Sequence, residues 1–306
     1  MDLLALVAHG SSSSYPNQAW PRERLGLQET QPALSVLRDQ LLAFGKQRHA
    51  WVSVKRQRLQ ALAGARYRGG RQAWEIDYLV DCHGDEAVVG ELLTQAVEAA
   101  GEAGAEKLFL RLGALSSLLG PVRESGFLPY QEETLYARQG ALTGEAAGCR
   151  KATPADSYPL FRLYTASTPE SVRRHEAVTY AEWQAGMEKR WLRNGVQMVQ
   201  EQEGRLTGLV RASRLAQGVL CDLTLSPDAV PDAVGLMAAA SRAIDGGGDA
   251  GPLLALVPSQ DEGVARRLED AGFHVAGEFI SLVHRTTRPL SLPRAVPAVA
   301  KNAVGV

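Results

Sequence analysis

The sequence predicts an α/β protein (mixed α+β) with two tandem units, each a mostly antiparallel mixed sheet flanked by helices. Three observations carry this expectation. Landmarks recur: Arg58-Leu59 opens RLQALAGARYR and Arg205-Leu206 opens RLTGLVRASRL, while Asp77 lies in IDYLV and Asp222 in CDLTL. Gly126-Phe127 and Gly272-Phe273 each close a helical stretch ahead of a strand, and the members of every pair stand about 146 residues apart in the same order, as an internal duplication requires. A length of 306 residues exceeds the usual span of one core and suits two units of roughly 150. Short β-rich runs also alternate with segments of helical apolar spacing in the same order twice.

The elements follow in order. In the first unit (1–139), residues 3–8 and 35–44 read as short helices separated by polar loops. Strands are expected over 50–54, 58–68 and 73–80, the last rich in Trp, Ile, Tyr and Val. Val88, Leu92, Val97 and Ala100 recur at near-helical spacing, and Gly101 and Gly104 mark that helix's end. A strand at 107–112, a helix at 116–125 and a final strand at 127–138 complete the unit. GALTGEAAG (140–148) is small and polar, a natural linker. The second unit (149–287) begins with a strand at 149–152, then helices at 156–165 and 180–193 and strands at 196–201, 205–214 and 219–225. A helix at 233–244, a strand at 253–257, a helix at 262–271 and a strand at 274–284 close it. Residues 288–306 form a proline-punctuated tail, disordered or laid as a strap on a domain surface. The first unit has no counterpart of the strand at 149–152; another segment, such as the tail, is one source for it.

Composition excludes several classes. A formal net charge of −1 gives no global attraction to nucleic acid or anionic lipid. Three cysteines without CxxC spacing argue against a disulfide framework and a zinc site, and no metal is expected. No apolar run approaches the roughly 20 residues of a membrane helix, and the N-terminus is a poor signal peptide. The expectation is a reduced, cytoplasmic protein.

Helix, helix, three antiparallel strands, helix, strand, a helix ending in Gly-Phe, strand: this order, with ESGFLPY (124–130) and DAGFHVAGE (270–278), resembles the GNAT superfamily of acyl-CoA-dependent N-acyltransferases, present twice. The resemblance implies acyl transfer from acetyl-CoA or another acyl-CoA to a small amine. It implies cofactor contacts at Leu79 and Val80, ending the third strand, and at Gly84, Val88, Val89 and Gly90 in the loop and first turn behind it. There, family members offer bare backbone N–H groups at a helix N-terminus to the pyrophosphate. A general base is commonly a carboxylate on the preceding strand, which points to Glu75 and Asp77 on one strand face, with Asp222 as the repeat equivalent of Asp77. Desolvation of such a carboxylate would raise its pKa toward neutrality; the alternative is pairing with Arg66, Arg68 or Arg211.

The sequence departs from the family pattern in ways that matter. The first loop reads CHGDEAVVGE, acidic where the family is basic, and the second reads LSPDAVPDAVGLM. Asp85, Glu86, Asp228 and Asp232 are either helix N-caps, worth about 0.5–2 kcal/mol each, or groups that repel a pyrophosphate; the two roles are compatible. The family's tyrosine acid, four residues before Gly-Phe, is Val122 in one half and Leu268 in the other. A catalytically silent module that binds a metabolite or a protein partner is therefore the alternative to an enzyme, and a homodimerisation scaffold is a third reading. Lys55, Arg56 and Arg58 read as a solvated hairpin edge. Arg173, Arg174, His175 and Glu176 lie in the acceptor-loop region, and Trp183 and Trp191 read as core.

Overall fold

A computed structural model describes residues 15–26, 48–56, 58–68, 72–144, 146–186, 195–227, 232–245 and 251–286. The expected helices at 3–8 and 35–44, residues 187–193 of the expected second-unit helix, Trp191, Asp228 and the tail lie outside these residues.

Among the described residues, eleven strands form one sheet. They are β1 (Arg48–Lys55), β2 (Arg58–Tyr67), β3 (Ala73–Asp81), β4 (Lys107–Gly113), β5 (Leu128–Arg138), β6 (Cys149–Lys151), β7 (Gly195–Gln202), β8 (Arg205–Leu215), β9 (Gly218–Leu225), β10 (Leu253–Pro258) and β11 (His274–Arg285). The spatial order is β1-β2-β3-β4-β11-β5-β10-β9-β8-β7-β6. Each half contributes antiparallel strands leading to a parallel pair, β3–β4 and β9–β10.

The last strands are exchanged. β11 lies against β4 and β5 lies against β10, both antiparallel, and the two pair with each other at the centre. The sequence places each final strand in its own half, because the repeat is equally consistent with either partner. At the exchange, Arg111 of β4 donates from Nε to Glu133 of β5 at 2.8 Å, and the Ser281 hydroxyl of β11 donates to the same carboxylate at 2.6 Å. All three residues are buried. Burial alone would raise the Glu133 carboxyl, but Arg111 and Arg22 and the hydrogen bonds hold it below the usual range.

One face of the sheet carries the two large apolar cores. Helix α1 (Glu86–Glu102) lays Val89, Leu92, Leu93 and Ala96 over Ile76, Trp74 and Leu108, with the short helix α2 (Leu119–Glu124) beside it. The spacing of these apolar residues is the helical stripe expected of a helix buried on one side. Helix α6 (Ala233–Asp245) does the same with Leu236, Met237 and Ala240 over Val210, Val219 and Ala255, together with α7 (Glu262–Asp270). In the second half, α3 (Ser157–Ser167), α4 (Glu170–Arg173) and α5 (Tyr180–Gly186) enclose a smaller cluster around Trp183, Leu160 and Val199. Among the described residues β1 is the sheet's edge on its side, and no strand equivalent to β6 lies beyond it. No helix there is long and apolar enough to cross a membrane.

The exchange predicts that the full chain unfolds in one cooperative transition. Expressed separately, residues 1–139 and 149–306 each lack the strand that covers β4 or β10 and leave unpaired edges. They should stay unfolded or aggregate alone and form a soluble complex when co-expressed, as read by circular dichroism and size-exclusion chromatography. Two separately soluble, cooperatively folded halves would contradict the interlock.

Candidate functional site

The parallel pair β3–β4 is short. Ala73, Trp74 and Glu75 face Lys107, Leu108 and Phe109, after which the strands splay apart. Just past this point Ile76 pairs with Ala65 but Tyr78 pairs with Gly64, so Asp77 is the extra residue of a β-bulge. A bulge here re-aims side chains beside the splay.

The splay is filled by the chain itself. Gln18 N donates to Leu79 O at 2.8 Å on one wall, and Trp20 N donates to Arg111 O at 2.9 Å on the other. Ala19 forms an antiparallel bridge with Leu112. Asn17 completes the seat: its Nδ2 donates to Asp77 O at 3.0 Å, and its Oδ1 accepts from Leu79 N and from Ala19 N, each at 2.9 Å. Asn17 and Ala19 are buried. Residues 17–20 thus take up the backbone groups that an extended ligand would use between the strands.

The loop behind β3 is likewise satisfied from within. Asp81 Oδ1 accepts from His83 N at 3.0 Å, Gly84 N at 2.9 Å and Asp85 N at 3.4 Å. Such a run of N–H groups is an anion nest, and here the anion is the protein's own carboxylate. Gly84 has φ +70°, the left-handed conformation that this turn demands. Asp85 then caps α1 by accepting from Val88 N at 3.4 Å. Val89 is buried in the core, whereas Val88 and Gly90 are half-buried. Both groups of Leu79 are engaged by Gln18 and Asn17, and Val80 packs with Leu62 and Cys82 on the opposite side from α1.

Glu75 and Asp77 share the polar face of β3. Arg66 Nη2 donates to Glu75 Oε2 at 2.9 Å. Burial would raise the Glu75 carboxyl, but Arg66, Arg68 and Arg111 outweigh it and hold the group low. Asp77 is only 1 % exposed. Burial pushes it up to about 6 against the opposing charges of Arg66 and Arg48. Arg48 Nη2 lies 2.9 Å from Asp77 Oδ2, an ion contact outside hydrogen-bond alignment, so neither carboxylate oxygen accepts a hydrogen bond. The two carboxylates are therefore brought together in an arginine network.

The second half differs. β9 and β10 pair from Val219–Leu253 to Asp222–Leu256 and then diverge, and among the described residues no segment enters between them. β9 runs past Asp222 in unbroken register with β8, where Asp222 faces Arg211. Asp222 is buried and paired with Arg22, which comes from the 3-10 turn Arg22–Arg24 directly behind the inserted segment. At the start of α6, Asp232 Oδ1 accepts from Gly235 N at 2.8 Å, and Gln200 Oε1 accepts from Asp232 N at 2.9 Å. Gly235 packs so closely on the linker that a β-carbon there would lie 2.8 Å from Ala146 N. Val122 and Leu268, at the two tyrosine positions, are fully buried.

Between the halves, Glu176 meets Arg68 at 3.4 Å and accepts from Tyr130 Oη at 3.1 Å, so the expected acceptor loop docks on the first half. Arg174 pairs with Glu170 on the surface, and Trp183 is core. Lys55, Arg56 and Arg58 form an exposed hairpin turn. Among the described residues no group of three or more His, Cys, Asp or Glu side chains is placed to hold a metal. Sequence reasoning missed Asn17 and Asp81. An Asp two to four residues ahead of a Gly-containing turn is a local Asx signal, but nothing local announces that Asn17 inserts between strands some 60 residues away.

Two predictions follow from this geometry. Asn17→Ala leaves Asp77 O and Leu79 N buried without their partner and should cost about 2–4 kcal/mol in urea unfolding; a loss below about 0.5 kcal/mol would contradict the insertion. Asp77 has a folded pKa of about 6 against an ordinary 3.8, so the folded state binds more protons between these values. Its contribution opposes folding increasingly as pH rises through that window. Asp77→Asn should flatten the pH dependence of stability between about pH 4 and 6.

No protein-family model and no curated protein matches the sequence. Solved structures match its fold. A GCN5-related N-acetyltransferase from Sphaerobacter thermophilus is 15% identical over 83% of this chain and 85% of its own, with a TM-score of 0.53. A tandem GNAT protein from the clavulanic acid biosynthesis pathway is 12% identical over 93% of this chain and 94% of its own, with a TM-score of 0.52. A putative acetyltransferase from Pyrococcus horikoshii is 10% identical over 94% of this chain and 86% of its own, with a TM-score of 0.50.

Proposed function

From a tandem GNAT-like fold in which one splay is filled and, among the described residues, no segment enters the other, we propose that this chain is an acyl-CoA-dependent N-acyltransferase of the cytoplasm whose working half is the second. The sequence favours the first half, where Glu75 and Asp77 stand beside a longer loop. The observation that carries the present reading is the seat of Asn17 and Ala19 between β3 and β4, which removes the donor's place there.

In the second half, acetyl-CoA or another acyl-CoA would lie between β9 and β10. Backbone N–H groups of β9 beyond Asp222 would polarise the thioester carbonyl. The nitrogen of a small amine attacks the carbonyl carbon, the C–S bond breaks as the amide forms, and Asp222 accepts the amine proton. An incoming amine competes with Arg22 for that carboxylate. Leu268 offers no proton, so the departing thiolate takes one from solvent.

A specific observation favours a second reading, the silent binding module: carboxylates cap both helices at which a pyrophosphate would sit. Calorimetric titration of the full chain with acetyl-CoA separates the two. The enzyme reading expects binding and, with an accepted amine, turnover that Asp222→Asn lowers at least about a hundredfold, the scale of general-base loss. Asp232→Asn keeps a capping side chain but removes one charge, and should tighten acetyl-CoA about fivefold. No heat and no thermal shift at millimolar acetyl-CoA would leave the silent module.

A further inference from the structure

The filled first half retains buried charged groups that make no hydrogen bond. Arg24, just behind the inserted segment, is 6 % exposed, and none of its three guanidinium nitrogens donates a hydrogen bond. A guanidinium cannot shed its charge at ordinary pH, so burial without a partner costs free energy that neutralisation cannot relieve. The guanidinium carbon lies 5.8 Å from the Trp20 ring centroid and 5.7 Å from that of Tyr78. Both rings are half-buried. Asp77 precedes Tyr78 at the bulge, and both its oxygens also lack a hydrogen bond. The Asp77 charge acts on Arg24, yet the two make no ion pair within 4.0 Å.

We propose that Arg24 and Asp77, walled by Trp20 and Tyr78, form a binding site for a free α-amino acid, with its carboxylate on Arg24 and its ammonium toward Asp77. Net charge decides between ligand classes. Arg24, Arg48 and Arg66 are balanced by Glu23, Glu75 and Asp77 in one connected set. A lone anion or a lone cation would unbalance that set, whereas a zwitterion offers acceptors to Arg24 and donors to Asp77, beside the Arg48 contact, without net charge. The aromatic walls receive the amino acid's side chain and the face of its carboxylate. Because residues 17–20 fill the neighbouring splay, a ligand held here is bound rather than acylated. Arg22, two residues before Arg24, pairs with Asp222, so occupancy of this site touches the turn that reaches the second half.

The test is calorimetric and thermal-shift titration of the full chain with glycine, alanine, leucine and phenylalanine, and separately with acetate and methylammonium. At least one amino acid should bind at least about tenfold more tightly than either fragment ion. Asp77→Asn, nearly isosteric and expected to fold, and Arg24→Met should each weaken that binding at least about tenfold, while Asp222→Asn retains it. Retention in Asp222→Asn separates this site from the acceptor's place in the second half. The proposal is overturned if no amino acid binds, if acetate binds as tightly as the amino acids, if Asp77→Asn binds as wild type, or if Asp222→Asn abolishes binding.

Discussion

The side-chain amide of Asn17 does in the first half what a paired strand would otherwise do. Where β3 and β4 part, buried backbone donors and acceptors must find partners, because an unmet one costs about 1–3 kcal/mol. Asn17 meets two of them on β3 and one at Ala19, and Gln18 and Trp20 meet others on both walls. That seat fixes the course of the following turn. Glu23 then meets Arg66, Arg22 meets Asp222 and Gln217 Nε2 donates to Leu25 O. A short segment of the first half thereby touches β3, β4, β2 and β9 in succession.

The exchange of β5 and β11 makes this placement possible. It joins the two halves through the sheet itself and puts the Arg111–Glu133–Ser281 cluster under the centre of the molecule. Arg111 also donates from Nη1 to Trp20 O at 3.2 Å, so the inserted segment and the exchange share one guanidinium. A buried pair of this kind adds little net stability over an apolar core. Its geometric demand is strict, since removal of either partner strands a charge. The cluster therefore specifies which strand lies beside which, and the apolar clusters on the opposite face supply the bulk of the burial.

The duplication, the strand and helix types and their order were legible because they rest on local periodicity and turn chemistry. Trp74, Ile76 and Leu108 fall in runs read as strands, and the stripe read from Val88, Leu92, Val97 and Ala100 faces the first core, with Leu92 and Ala100 buried in it and Val88 and Val97 packed against it. The strand exchange was not legible, since β5 and β11 carry interchangeable patterns and the choice lies in long-range contacts such as Arg111 to Glu133. The pairing of Glu75 with Arg66 was one of the alternatives read from strand alternation, and the capping by Asp85 and Asp232 followed from their positions. The occupied splay was invisible for a different reason: YPNQAW looks like a loop, and only the three-dimensional meeting of Asn17 with the bulge at Asp77 gives it a role. Two functional expectations attached to the first half, at Leu79 and Gly84, concern backbone groups that Asn17, Gln18 and Asp81 already engage.

Residue-resolved amide hydrogen exchange on the full chain, with and without acetyl-CoA, tests the central claim most directly. The account predicts strong protection of Trp20, Gln18 and Leu79 amides without ligand, unchanged by acetyl-CoA, while Leu223, Thr224 and Leu225 gain protection when it binds. Rapid exchange at Gln18 and Trp20, or their release by acetyl-CoA with new protection over 79–85, would show that the first splay is the donor site and that the inserted segment yields to it.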